Sequence, residues 1–227
     1  MNKRTRRFTA GFAVASLFFC QGLSLGHAAE KGGVSLESTR VVFREGANEA
    51  TLGVSNSLSE PVLVHSSFEH VSGEKSNAFM AIPPLFKLDA DRTSRMRIVK
   101  VAELPQDRES VFFIHVVSIP SGNKKLNIGL GQRIKVFYRP KGLVGDCEYA
   151  AENLSWSFTD GKLIAHNPTQ LSVSMIDIDV QGTKLKTSML LSGDRIEFPI
   201  KRNRLQRFSF RYIDEYGALR TQEVQLK

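Results

Sequence analysis

Apolar and polar positions alternate along most of this chain in short runs, and proline, glycine and serine separate the runs. Val34-Ser35-Leu36 and Val41-Val42-Phe43 come first, followed by Ala50 to Asn56 and Val62 to Phe68. Further runs extend from Arg95 to Val101, Val111 to Ile119 and Leu126 to Tyr138. Between them stand Ser59-Glu60-Pro61, Ser72-Gly73, Pro83-Pro84 and Pro120-Ser121-Gly122-Asn123. Helical periodicity is scarce. About seven short strands at this spacing predict an immunoglobulin-like sandwich.

Arg139-Pro140-Lys141-Gly142 interrupts the pattern, because proline cannot donate to a central ladder and glycine ends a run. A second set follows: Leu154 to Phe158, Lys162 to Ala165, Leu171 to Val180, Met189 to Leu191, Arg195 to Phe198, Arg207 to Ile213 and Arg220 to Leu226. Thr159-Asp160-Gly161 predicts a hairpin turn between the first two. The expected fold class is therefore all-β, with two immunoglobulin-like sandwiches joined by a short linker and set at an angle. Their expected limits are 29–140 and 141–227.

The first 28 residues stand apart. Lys3, Arg4, Arg6 and Arg7 precede a short apolar run to about Leu25, and Gly26-His27-Ala28 supplies small residues at a cleavage site. This is the pattern of a secretory signal peptide, too short and interrupted for a membrane span. Half of the formal charge of +8 leaves with it, so the pI of 9.6 overstates the basicity of what remains. Nucleic-acid binding would need a concentrated basic face with aromatics; Lys201-Arg202-Asn203-Arg204 is the one tight cluster, and it reads as a solvated loop. Beyond residue 28 only Cys147 remains, so no internal disulfide can form and a buried, inert thiol is expected.

Catalytic signatures are missing: there is no glycine-rich phosphate loop, no H-E-x-x-H and no G-x-S-x-G. His65, His70, His115 and His166 are scattered and suggest no metal site. Neither an enzyme nor a cofactor is expected. One stretch is unusual. Leu126, Ile128 and Leu130 alternate with Asn127, Gly129 and Gly131, so one face is apolar and the other nearly bare. Glycine inside a strand often marks close approach of another backbone, and a long apolar edge is an aggregation hazard unless another chain pairs with it.

These stretches together form a pattern. Ser38-Thr39-Arg40-Val41-Val42-Phe43, Leu52-x-Val54-x-Asn56, Pro83-Pro84-Leu85-Phe86-x-Leu88 and Leu104-Pro105-Gln106-Asp107-Arg108-Glu109-Ser110 come in that order. Ile134-Lys135-Val136-Phe137-Tyr138-Arg139-Pro140 and Asn167-Pro168-Thr169 follow. In this combination the chain resembles the periplasmic pilus-assembly, or PapD-like, chaperones over nearly the whole length after the signal peptide. The short stretch between Ile119 and Leu126 resembles their short-loop subclass.

The resemblance implies a periplasmic protein, with pilin subunits and an outer-membrane usher as partners, no nucleic acid and no embedding in the membrane. It implies that Arg40 and Lys135 bind a subunit's C-terminal carboxylate, and that Leu126, Ile128 and Leu130 lend their side chains to the subunit's incomplete core. Burying three such aliphatic groups contributes about 5–9 kcal/mol at roughly 1.5–3 kcal/mol each. A fixed carboxylate sets register, since a one-residue slip turns every donor side chain to the wrong face. The same resemblance implies an interdomain ionic set of Glu109 and Arg139 with an acid of the second domain. Glu215 holds the matching position, with Asp214 as the alternative. Without a subunit, the apolar strand is expected to be capped in a self-associated dimer. The rival reading is an adhesive surface protein that buries Leu126, Ile128 and Leu130 in its own core.

Overall fold

The computed structural model of the protein describes residues 32–121, 129–187, 189–202 and 204–226. The signal-peptide reading and the donor positions Leu126 and Ile128 lie outside the described residues. The first sandwich contains β1 (Val34–Leu36), β2 (Arg40–Arg44), β3 (Ala50–Asn56), β4 (Val62–His70), β5 (Lys75–Ser76), β6 (Phe79–Ile82) and β7 (Leu85–Leu88). β8 (Arg92–Lys100), β9 (Ser110–Pro120) and β10 (Leu130–Arg139) complete it. One sheet runs β1-β3-β8-β6 and the other β2-β10-β9-β4-β5, with β7 also on β4.

The alternation explains the packing. Leu52 and Val54, Val62 and Val64, Met96 and Ile98, and Phe112, Ile114 and Val116 all point inward and are buried, as are Val136 and Tyr138. Intervening positions turn to the opposite face, as period two requires, although Gly53 and Phe137 are buried there too. The first strand region switches sheets between Leu36 and Arg40: β1 pairs antiparallel with β3, whereas β2 pairs parallel with β10. That switch has a consequence for β10. Lys135 to Tyr138 have β2 on one side and β9 on the other, but Leu130 to Ile134 pair, among the described residues, with β9 alone.

The second sandwich begins after a six-residue helix, α1 (Cys147–Glu152), whose N-cap Asp146 accepts from Tyr149 N at 2.9 Å. Its strands are β11 (Ser155–Thr159), β12 (Lys162–His166), β13 (Val173–Val180), β14 (Thr183–Lys186) and β15 (Met189–Leu190). β16 (Arg195–Pro199), β17 (Arg207–Ile213) and β18 (Leu219–Gln225) follow. The sheets are β11-β12-β16 and β14-β13-β17-β18, with β15 on β13. Asp160 and Gly161 both have positive φ, which makes the β11–β12 connection a tight hairpin matched to strand twist. The helix has no counterpart in the sequence reading, because six residues are too few to show helical periodicity. No helix among the described residues is long and apolar enough to cross a membrane.

Candidate functional site

Parallel pairing of β2 with β10 sets Arg40 directly opposite Lys135. The fold thus joins two cations far apart in sequence, at the point where the unpaired half of β10 begins. Each reaches across to the second sandwich. Arg40 Nη1 donates to the Ile213 carbonyl at 3.0 Å, and Lys135 Nζ donates to Ser174 Oγ at 3.2 Å. The Arg40 guanidinium also sits 5.8 Å from the centre of the Phe137 ring.

Neither cation forms an ion pair with a carboxylate among the described residues, and buried Arg40 Nε has no hydrogen-bond partner. Burial pushes both groups below their ordinary pKa values; at Arg40 the nearby Cys147, Asp214, Glu215 and Glu109 work against that shift, whereas Lys135 is depressed further by the adjacent charges of Arg40 and Arg133. Two desolvated, mutually repelling cations with an unsatisfied donor make a site that an anion would stabilise. Arg40 lines a narrow cleft with Val42, Phe137, Cys147, Ser172 and Ser174, together with Glu109, Arg139 and Glu215, holding about 240 Å³ of empty space including its open mouth. Cys147 is buried in its wall. Burial, with Glu215 nearby, pushes its thiol up to about 12.

Arg139, also buried, stands between two carboxylates. Its Nε and Nη2 donate to Glu109 Oε2 at 3.1 and 2.8 Å, and its Nη1 pairs with Glu215. Glu109 Oε1 accepts from Ser172 N at 3.0 Å, while Glu109 N donates to the Gln170 carbonyl at 2.8 Å. Burial pushes the Glu109 carboxyl above its usual range, with Arg139 working against that shift. Glu215 Oε2 also accepts from Arg44 at 2.9 Å.

Asp214 is occupied elsewhere. It accepts from Tyr216 N at 3.0 Å, from Ala218 N at 2.8 Å and from Arg220 Nε at 2.8 Å, so it organises the β17–β18 turn. Of the two adjacent acids, it is Glu215 that meets Arg139. Arg44 and Ser174 had no place in the sequence reading; an arginine at a strand end and a serine in an alternating run carry no distinguishing pattern.

Leu130 is 62% exposed at the start of β10, not packed in the core. A Cβ added at Gly131 would meet only ordinary contact, 3.8 Å from Val117 Cγ2, so this chain itself does not exclude a side chain there. The motif asparagines are structural. Asn56 Nδ2 donates to the carbonyls of Glu60, Leu88 and Asp89, and Asn167 Nδ2 to those of Leu171, Leu190 and Leu191. Each buried amide ties a strand end to a neighbouring loop.

Comparison with known proteins follows the same division. Residues 33–144 match the family model described as pili and flagellar-assembly chaperone, PapD N-terminal domain. Residues 149–224 match the pili assembly chaperone PapD, C-terminal domain. A probable fimbrial chaperone, LpfB of Escherichia coli O157:H7, is 33% identical over 207 residues, covering 86% of this chain and 89% of the relative. The chaperone protein FimC of Escherichia coli K12 is 28% identical, covering 96% and 93%. Among solved structures, a chain from the Salmonella enterica complex of SafA pilin with the SafB chaperone superposes with a TM-score of 0.78. It is 28% identical, covering 88% of this chain and 99% of that one. With both family domains matched in order, the chain belongs to the PapD-like family of pilus-assembly chaperones.

Proposed function

We propose that this pilus-assembly chaperone works in the periplasm by completing a subunit's fold with β10 while holding the subunit's C-terminal carboxylate between Arg40 and Lys135. The observation that carries the reading is the juxtaposition of an open strand edge with two cations that form no ion pair among the described residues. Among the described residues Leu130 to Ile134 have no strand partner on the side where β2 would continue, and Arg40 and Lys135 stand where that open edge ends. A strand added there would gain main-chain hydrogen bonds, each about 0.5–1.5 kcal/mol net. Its terminal charge would find Arg40 Nε and the Lys135 ammonium.

The cations add register more than affinity, because desolvation offsets much of the attraction of a buried charge pair. A chain end fixed at Arg40 and Lys135 admits one pairing with β10, so apolar positions 126, 128 and 130 meet the subunit's core. Transfer to an outer-membrane usher would follow, with the completed subunit fold driving release. This mode of action uses no catalysis and no cofactor.

The test is purification of the tagged protein from the periplasm of its host, wild type beside Lys135→Ala, with mass identification of what accompanies each. A small secreted β-rich subunit held by wild type and lost from the folded variant is the expected result. Equal recovery of that subunit with both forms would remove the carboxylate anchor from the mechanism.

A further inference from the structure

β13 buries Val173, Met175, Ile178 and Val180 in the core of the second sandwich. Its pairing with β17 slips between Met175 and Asp177, which makes Ile176 the extra residue of a β-bulge. Ile176 is 43% exposed, in a strand whose other aliphatic side chains are all buried. Bulges re-aim side chains, and they occur preferentially beside functional sites. Here Val173 and Met175 point inward before the bulge and Ile178 and Val180 after it, so the shift of phase leaves Ile176 outside the core.

That outward face is the one bearing Ser174, whose hydroxyl holds Lys135 Nζ. Met189 stands opposite Ser174 across the β13–β15 pair, with its Sδ 4.0 Å from Ser174 Oγ, and is only partly buried. Ile176 and Met189 therefore flank the serine that contacts the lysine. The neighbouring acid, Asp177, is already engaged, accepting from Arg211 Nε at 2.8 Å. Beside Ser174 on β13 and β15, Ile176 and Met189 are the apolar side chains left uncovered, and the charged Arg133 lies near Lys135.

We infer that Ile176 and Met189 form a ledge that receives an apolar side chain from the last few residues of the bound subunit, so the second sandwich helps select the C-terminal sequence. The inference rests on the reading of Arg40 and Lys135 as the carboxylate anchor. A chain end held at Lys135 lies against Ser174, and extended chain advances about 3.3 Å per residue. Ile176, two residues along β13, is then within reach of the second or third residue from the end.

Short synthetic peptides of alternating Thr and Val with a free terminal carboxylate provide the probe, with Leu or Ser placed in turn at each of the last three positions. Binding is measured by calorimetry to wild type, Ile176→Ser, Ile176→Leu and Lys135→Ala. Wild type should prefer Leu over Ser at one of these positions by about tenfold, the size expected for one partly buried aliphatic group. Ile176→Ser should reduce that preference below about twofold while retaining binding of the Ser peptides, and Ile176→Leu should restore it. Lys135→Ala should weaken all peptides together and leave the ratio intact. An undiminished Leu preference in Ile176→Ser, or no preference in wild type, overturns the ledge but leaves the anchor standing. Binding unaffected by Lys135→Ala, or no binding of any peptide to wild type, overturns the anchor and the ledge with it. A thermal melt of each variant confirms folding, which an exposed position should tolerate.

Discussion

Arg139 meets two carboxylates, and their surroundings give them different weight. Glu109 is buried with it and bonds onward to Ser172 N of the second sandwich, whereas Glu215 also faces the exposed Arg44. Removing Glu109 leaves a buried guanidinium half-paired, which costs far more than the intact pair contributes. Glu109→Ala should therefore lower stability by about 3–5 kcal/mol in a urea titration, and Arg44→Ala by about 1 kcal/mol or less. Similar losses from both variants would remove this distinction. Lys135 makes a second case. Its folded pKa is depressed by burial, then by Arg40 and Arg133, so folding disfavours its proton. Stability should rise as pH climbs from that lowered value toward the ordinary lysine value, where the unfolded chain holds the extra proton. A bound carboxylate favours the proton, so subunit affinity should fall across the same alkaline window. Calorimetric affinities of wild type and Lys135→Gln against pH check the sign; a parallel rise in stability and affinity would contradict it.

At the level of elements, β10 is two strands in one. Its second half lies between β2 and β9 and buries Val136 and Tyr138; its first half has β9 alone and leaves Leu130 in solvent. A core leucine truncation costs about 2–5 kcal/mol, but a surface substitution stays within about 0.5 kcal/mol. Leu130→Ser should thus leave the melting curve in place and weaken subunit capture in the periplasmic purification. A large stability loss would favour the rival in which this residue serves its own domain. The alternation at 126–130 predicts an apolar face and the bare glycine face a visitor; of these positions the described residues include Leu130, which is exposed. The sheet switch that frees the edge was not legible, since nothing in Glu37-Ser38-Thr39 states which sheet the chain joins next. The bulge at Ile176 was also hidden. Val173-Ser174-Met175-Ile176-Asp177-Ile178 reads as part of one strand run, and only the pairing register shows where the phase shifts.

Across the whole molecule, the two sandwiches meet through polar contacts concentrated at the cleft. Arg40 to Ile213, Lys135 to Ser174, Glu109 to Ser172 and Arg139 to Glu215 all cross the boundary. Arg40, Glu109, Arg139, Ser172, Ser174 and Glu215 thus both join the sandwiches and line the cleft, so a bound chain end would sense both. Strand content and the break at Arg139-Pro140 made the two-sandwich plan readable from alternation and turn residues. The meeting of Arg40 with Lys135 was not readable from spacing, and it entered the sequence reading through resemblance alone. Parallel register is a property of the folded sheet, which no local pattern encodes. Nor could sequence choose between Asp214 and Glu215, neighbours whose roles diverge because one turns into the β17–β18 hairpin and the other toward Arg139.

Hydrogen–deuterium exchange on the free protein and on its isolated subunit complex tests strand completion most directly. The amides of Leu130 to Ile134 that do not bond to β9 should exchange quickly in the free protein and become strongly protected in the complex. Protection should extend up to Lys135 and stop there, because β2 already covers the rest of β10. An intact complex in which those amides exchange as fast as in the free protein would contradict donation of this strand.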